Sequence, residues 1–189
     1  YKLSEERAKL PDRKEGDFPE TPRIAPAPHL PAINFSFQTA AQMTPELAAL
    51  CPECVYVPLE LLAENPSVAD AFRENGAEIV AALPSVAFGE KEESELRALL
   101  AKVHESGVTQ ALTGNLGLAM MAGQEGFRIR GDFDLAVMNS YTLSGMASAG
   151  FLSAMLSPEL TFVDIREMPK CMDAELAIYG RLPVMVTQT

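Results

Sequence analysis

Side chains able to hold or move protons recur at one kind of place in this sequence, directly after short apolar, β-prone runs. Glu60 follows the run 55–59, Asn115 follows 110–113, Asn139 ends 135–139, Glu159 follows 153–156, and Tyr179 and Arg181 stand at the downstream end of 176–179. Two carboxylates can serve as general acid and general base when burial or a close like charge drives their pKa values apart. Glu60 and Glu159 are therefore the candidate catalytic pair. Asn115, Asn139, Tyr179 and Arg181 supply hydrogen-bonding groups and a fixed positive charge, which suits them to hold a substrate. The alternative is structural: Asn and Glu cap the helices that follow, and Arg181 neutralises Glu159 or Glu60.

The other chemistry-bearing residues carry weaker signals. Cys51-Pro-Glu-Cys54 has the spacing of redox and metal sites, but Cys171 stands alone and His29 lies in a Pro-rich stretch. The pair reads as two buried small hydrophobes, and no metal site is expected. His104 reads as a helix residue at the solvent edge. Gly114-Asn-Leu-Gly117 precedes a helix start, where N–H groups can cradle an anion; without a longer glycine pattern or an adjacent Lys, a tight turn is the default. No Ser or Cys is served by a histidine, so a hydrolytic triad has no support.

These groups need elements to position them, and the pattern is an alternation of short apolar runs with helical segments. Strands are expected over 33–37, 55–59, 78–83, 110–113, 135–139, 153–156 and 176–179, with 184–186 reading as the start of a further one. Between them, Thr44 caps a helix over 45–50. Asn65 and Pro66 open another that stops at Gly76, and 92–105 places Leu96, Leu99, Leu100 and Val103 on one stripe ending at Gly107. A short helix follows Gly117. The helix over 141–150 is rich in Gly145, Ala147, Ser148 and Ala149, small residues expected to allow close approach to a sheet, and Thr161 caps the next.

Regular β-α alternation with apolar strands predicts an α/β fold, a parallel sheet covered by helices. A TIM-like (β/α) barrel is preferred over an open doubly wound sheet. Residues 32–189 fall short of the roughly 200–250 of a closed eight-unit barrel, so the expected barrel is incomplete or distorted.

Composition bounds the rest. The 189 residues are 48% hydrophobic and 22% charged, the balance of a globular core. Residues 1–31 read as an N-terminal extension, with helix-forming composition over 1–14, followed by a linker stiffened by Pro19, Pro22, Pro26, Pro28 and Pro31. Residues 32–189 form the expected barrel domain, which reads as truncated at its C-terminus and as a piece of a larger protein. No run approaches the ~20 apolar residues of a membrane span. Three cysteines are too few for a disulfide framework, which favours a reducing cytoplasmic setting. Of the net charge of −11, residues 1–23 carry six Lys/Arg and six Asp/Glu, leaving nine against twenty in the body. So acidic a body repels phosphate backbones, and this chain by itself should bind nucleic acid poorly.

Several stretches taken together resemble one family. Val-Tyr-Val-Pro-Leu59, Leu-Thr-Gly-Asn-Leu-Gly117, Gly-Asp-Phe-Asp-Leu-Ala-Val-Met-Asn-Ser140, Ser-Pro-Glu-Leu160 and Tyr-Gly-Arg-Leu-Pro-Val-Met-Val-Thr187 are, in this order, similar to peptidase family U32, the collagenase-like proteases. The resemblance implies a TIM-barrel-like fold with Asn115, Asn139, Glu159 and Arg181 lining its mouth. It also implies that the intact protein is an iron-sulfur enzyme supporting hydroxylation of RNA or of a small aromatic substrate. The cluster cysteines are then expected beyond Thr189, because Cys51, Cys54 and Cys171 do not match the cluster pattern, and no cofactor is expected in this chain. Preceding and following domains of the same protein are the implied partners. Two alternatives stand beside this: a genuine peptidase acting on peptide through Glu60 and Glu159, and a non-catalytic scaffold for a partner subunit.

Overall fold

The structure is a computed structural model that describes residues 31–181, together with Glu6, Gly16, Asp17, Glu20 and Arg23. Apart from Glu6, which is helical, the helical reading of 1–14 lies outside the described residues, as do most of the Pro-rich linker and the further strand at 184–186. Among the described residues seven strands form one sheet: β1 (Phe35–Ser36), β2 (Cys54–Pro58), β3 (Glu78–Ala82), β4 (Gln110–Thr113), β5 (Arg128–Gly131), β6 (Ser153–Met155) and β7 (Asp173–Glu175). They pair in sequence order and every pairing is parallel. An open doubly wound sheet reverses its strand order part-way. This sheet never does, and it curls into an incomplete (β/α) barrel.

The helices are α1 (Pro45–Ala48), α2 (Leu59–Glu64), α3 (Asp70–Glu74), α4 (Gly89–Glu105), α5 (Leu116–Gln124), α6 (Ser140–Ser148) and α7 (Phe162–Glu167). Strand side chains alternate between the two faces of the sheet. Val55, Val57, Ile79, Ala81, Ala111 and Ile129 point outward and pack with Leu62, Phe72, Leu96, Leu100, Val103 and Met121 from the helices. On α4, Leu96, Leu100 and Val103 recur at helical spacing, and the helix stops where Gly107 takes φ +90°. The inner face is a separate layer, built around Cys54, Tyr56, Val80 and Leu112.

The sheet departs from expectation at two strands. The fifth strand is Arg128–Gly131, not 135–139. The expected stretch instead holds a 3-10 turn, Phe133–Leu135, whose Leu135 packs on the cluster that includes Ala154, and it pairs with a residue next to β6 at the isolated Val137–Leu156 bridge. The seventh is Asp173–Glu175, and the apolar run 176–179 that was expected to be a buried strand is exposed. Both real strands carry charged residues on their inner face, so a search for apolar runs passes over them. The stretch opened by Asn65 and Pro66 is also split, into a 3-10 turn (Pro66–Ala69) and α3. On α6 only Leu143 is buried; Gly145 is exposed, with nothing within 4 Å of where its Cβ would be. Of the small residues expected to allow close approach, Ala147 packs on the cluster of Val137, Ala154 and Leu156, whereas Gly145, Ser148 and Ala149 are exposed.

Candidate functional site

The inner face of the sheet converges on one carboxylate. Glu175, the last residue of β7, accepts hydrogen bonds from Ser153 Oγ at 2.5 Å and Asn34 Nδ2 at 2.8 Å, and also from the Tyr56 hydroxyl. Arg130 Nη1 pairs with it at 3.1 Å. Arg130 is fixed in turn by Ser153 Oγ at 3.0 Å and by Gln110 Oε1, which accepts from Nε at 2.8 Å. Asn34 also accepts the Cys54 backbone N–H at 3.1 Å. Five strands and the residue before β1 thus contribute to one network, because period-2 alternation turns Tyr56, Gln110, Arg130, Ser153 and Glu175 to the same side. The Arg130 and Glu175 side chains are only 14% and 13% exposed.

The electrostatics follow from that burial. Burial alone pushes the Glu175 carboxyl up, but the hydrogen bonds from Ser153, Tyr56 and Asn34 and the charge of Arg130 outweigh it and hold the group below the usual carboxylate range. Tyr56 is driven well above its ordinary value, first by burial and then by the Glu175 charge, so it stays a neutral donor. Burial works against the Arg130 charge, yet Tyr56, Cys54 and Glu175 together raise its pKa. Burial pushes the Cys54 thiol up to about 11, with Arg130 opposing and Glu175 adding to the rise. At neutral pH Cys54 is a thiol, a poor nucleophile and a poor metal ligand. Asp132, just past β5, is raised mainly by burial, against the opposing hydrogen bond from the Phe133 N–H.

A serine beside a carboxylate has the outline of a nucleophile and its base. A carboxylate held below its usual range is a weak base, however, and Ser153 is 1% exposed. The arrangement instead suits a fixed, charged framework inside the barrel.

The residues singled out from the sequence lie elsewhere, and none belongs to the Glu175 network. Asn115 caps α5: its Oδ1 accepts the N–H groups of Gly117 at 2.9 Å and Leu118 at 3.2 Å, and its Nδ2 donates to the Ser85 carbonyl at 3.3 Å. Asn139 caps α6, accepting from Thr142 N at 2.9 Å and Thr142 Oγ1 at 3.2 Å. Each borders its own hollow beyond the strand ends. Ser85, Val86, Leu116 and Asp134 share one of about 590 Å³ with Asn115, and Leu160, Asp164 and Met168 share one of about 490 Å³ with Asn139. Glu60 is exposed in the first turn of α2, and Glu159 is exposed in the turn after β6. Tyr179 is 99% exposed and Arg181 is exposed beyond β7.

The cysteines also separate. Cys54 is buried on the inner face, but Cys51 is exposed with φ +52°, so only one of the pair is the buried hydrophobe expected. Cys171 packs with the cluster around Val137 and Leu156. His104 lies edge-on to Phe127 with ring centroids 5.2 Å apart. Among the described residues no group of three or more His, Cys, Asp or Glu is placed to hold a metal ion, and no helix is long and apolar enough to cross a membrane.

The sequence held a signal for the network it did not yield: Arg-x-Arg in 128–130 and Asp-x-Glu in 173–175 put opposite charges at strand period on two segments. A family model described as peptidase family U32 matches residues 61–189, more than half of the chain. A comparison with curated proteins finds no match.

Proposed function

The chain belongs to peptidase family U32, and on that premise we propose that it is the substrate-holding barrel unit of an enzyme that supports hydroxylation of RNA or of a small aromatic substrate rather than peptide cleavage. One observation carries this reading: the buried carboxylate of the barrel, Glu175, is held by Arg130 and three hydrogen-bond donors and kept below its usual pKa. That makes it a framework group and a weak base. Substrate contact falls to Asn115, Asn139, Tyr179 and Arg181 beyond the strand ends, where apolar Val86 and Leu116 border the larger hollow.

An iron-sulfur cluster would supply the electron transfer that such chemistry needs. The described residues do not fit one. Cys54 is a buried neutral thiol, Cys51 is exposed, and Cys171 sits in a different packing cluster. The reading therefore places the cluster on residues outside those described and routes no step through it here. The three free cysteines favour a reducing, cytoplasmic setting.

The test is anaerobic reconstitution of the intact protein that carries this chain with iron and sulfide. Visible absorption of a bound cluster is expected, and a protein that stays colourless counts heavily against the reading. Peptide cleavage through Glu159 and Glu60 is the competing assignment. It gains if cleavage of denatured collagen is detected and is abolished by Glu159→Gln. A protein without turnover that co-purifies stoichiometrically with a partner would favour the scaffold.

A further inference from the structure

Among the described residues β1 and β7 are the two edges of the sheet, and no backbone ladder joins them. Asn34, one residue before β1, nevertheless meets Glu175 at the end of β7, 141 residues later. The same carboxylate takes Tyr56 from β2 and is paired with Arg130 from β5 and hydrogen-bonded by Ser153 from β6. One side chain therefore spans the open side of the barrel. Immediately after Glu175 comes the segment 176–181, with Leu176 44%, Ile178 86% and Tyr179 99% exposed. It has no strand or helix of its own, so its position is set by where β7 ends.

We infer that Glu175 is a positioning residue: it ties the end of β7 to the opposite edge of the sheet and so fixes where the 176–181 segment, with Tyr179 and Arg181, leaves the barrel. The physical basis is the poor alternative each partner has. Without the carboxylate, Arg130 keeps a largely buried charge with no counter-ion, and Ser153, Tyr56 and Asn34 lose their shared acceptor. The edge strand β7, three residues long and paired among the described residues to β6 alone, then keeps that pairing and the packing of Met172 and Ala174 on the Val137–Leu156 cluster. Local opening of such weakly held segments proceeds at a lower free energy than opening of the core. The assignment of Tyr179 and Arg181 to substrate rests on the proposed function, but the tie at Glu175 does not.

Hydrogen exchange read by mass spectrometry tests the tie on the protein alone, without substrate. In Glu175→Gln, peptides covering 173–181 and 33–37 should exchange roughly tenfold faster or more than in the unsubstituted protein, while peptides over β3 and β4 keep their protection. Ser153→Ala, which removes one donor and leaves the ion pair, should move the same two regions by a smaller factor, and it keeps the test decisive should Glu175→Gln fail to fold. Glu175→Asp, shorter by one methylene, should fall between the two. Unchanged exchange at 173–181 in the folded variants, or acceleration spread evenly over β2 to β4, overturns the inference. If the tie is confirmed and Tyr179→Ala leaves substrate affinity of the intact enzyme unaltered, the proposed substrate contact fails while the positioning role stands.

Discussion

Asn34 Nδ2 lies 2.8 Å from Glu175 Oε2, so residues 141 positions apart in the chain meet inside the curl of the sheet. No strand pairing among the described residues brings them there. The contact follows from parallel strands added in sequence order until the sheet bends back toward its first edge, with long polar side chains bridging what remains.

The Arg130–Glu175 pair predicts a specific pattern of stability. Removing one partner of a largely buried pair leaves the other charge uncompensated, typically at a cost of about 3–5 kcal/mol. Arg130→Met and Glu175→Leu should each lower the urea unfolding free energy by roughly 3 kcal/mol. The double variant should recover a good part of the loss, since two apolar residues need no partner. Losses that simply add would show that the pair is not coupled.

The pH dependence has two components of opposite sign. Glu175 is held below its unfolded value, so the stability it contributes is complete above the usual Glu range of about 4.3 and is lost as pH falls below it. The groups that hold it there against burial are Ser153, Tyr56 and Asn34 through hydrogen bonds and Arg130 through its charge. Asp132 is raised in the folded state, so its contribution is present at low pH and lost as pH rises through its folded value. At pH 7, Asp132→Asn should therefore be neutral or stabilising, because Asn can still accept the Phe133 N–H. Unfolding free energies between pH 7 and 3 should fall less steeply in Glu175→Gln than in the unsubstituted protein.

Gly114 is needed for space. A Cβ there would overlap the Asp134 Cβ, and Asp134 belongs to the 3-10 turn that follows β5. Gly114→Ala should cost about 1–3 kcal/mol, as overpacking does. The added Asp134→Gly substitution should return part of it, less its own backbone entropy; thermal unfolding of the two variants checks this.

Asn139 provides a test of capping against substrate contact. As the N-cap of α6, Asn139→Ala should cost about 1 kcal/mol, and Asn139→Asp should restore most of that. If, on the proposed function, the intact protein loses substrate affinity with both replacements, the amide contacts substrate as well. If affinity follows stability alone, Asn139 is a cap.

The sequence made legible whatever depends on local or outward-facing signals. β4 is expected and found at Gln110–Thr113, the stripe of Leu96, Leu100 and Val103 seats α4, and Thr161 caps α7 with Asp164 returning the hydrogen bond at 3.0 Å. The inner face was hidden because it breaks the rule used to find it. Strands of a parallel sheet covered on both sides read as apolar runs, but Arg128–Gly131 and Asp173–Glu175 keep only their outward residues apolar or small. Their inward charges satisfy one another, a relationship between distant segments that no local window contains. The candidate acids Glu60 and Glu159 follow apolar runs and are exposed, while the buried carboxylate, Glu175, is the last residue of β7, a strand with no apolar run to mark it.

The most direct measurement is the coupling between the two residues that meet across the open side. A double-mutant cycle of Asn34→Ala and Glu175→Gln, followed by urea unfolding, cancels what Asn34 separately does for the Cys54 N–H at 3.1 Å. A barrel tied at Glu175 predicts a coupling energy of about 1 kcal/mol, the worth of a hydrogen bond to a charged group with some relaxation. Single-variant losses that add to within roughly 0.3 kcal/mol would contradict the tie and leave the sheet with two independent edges.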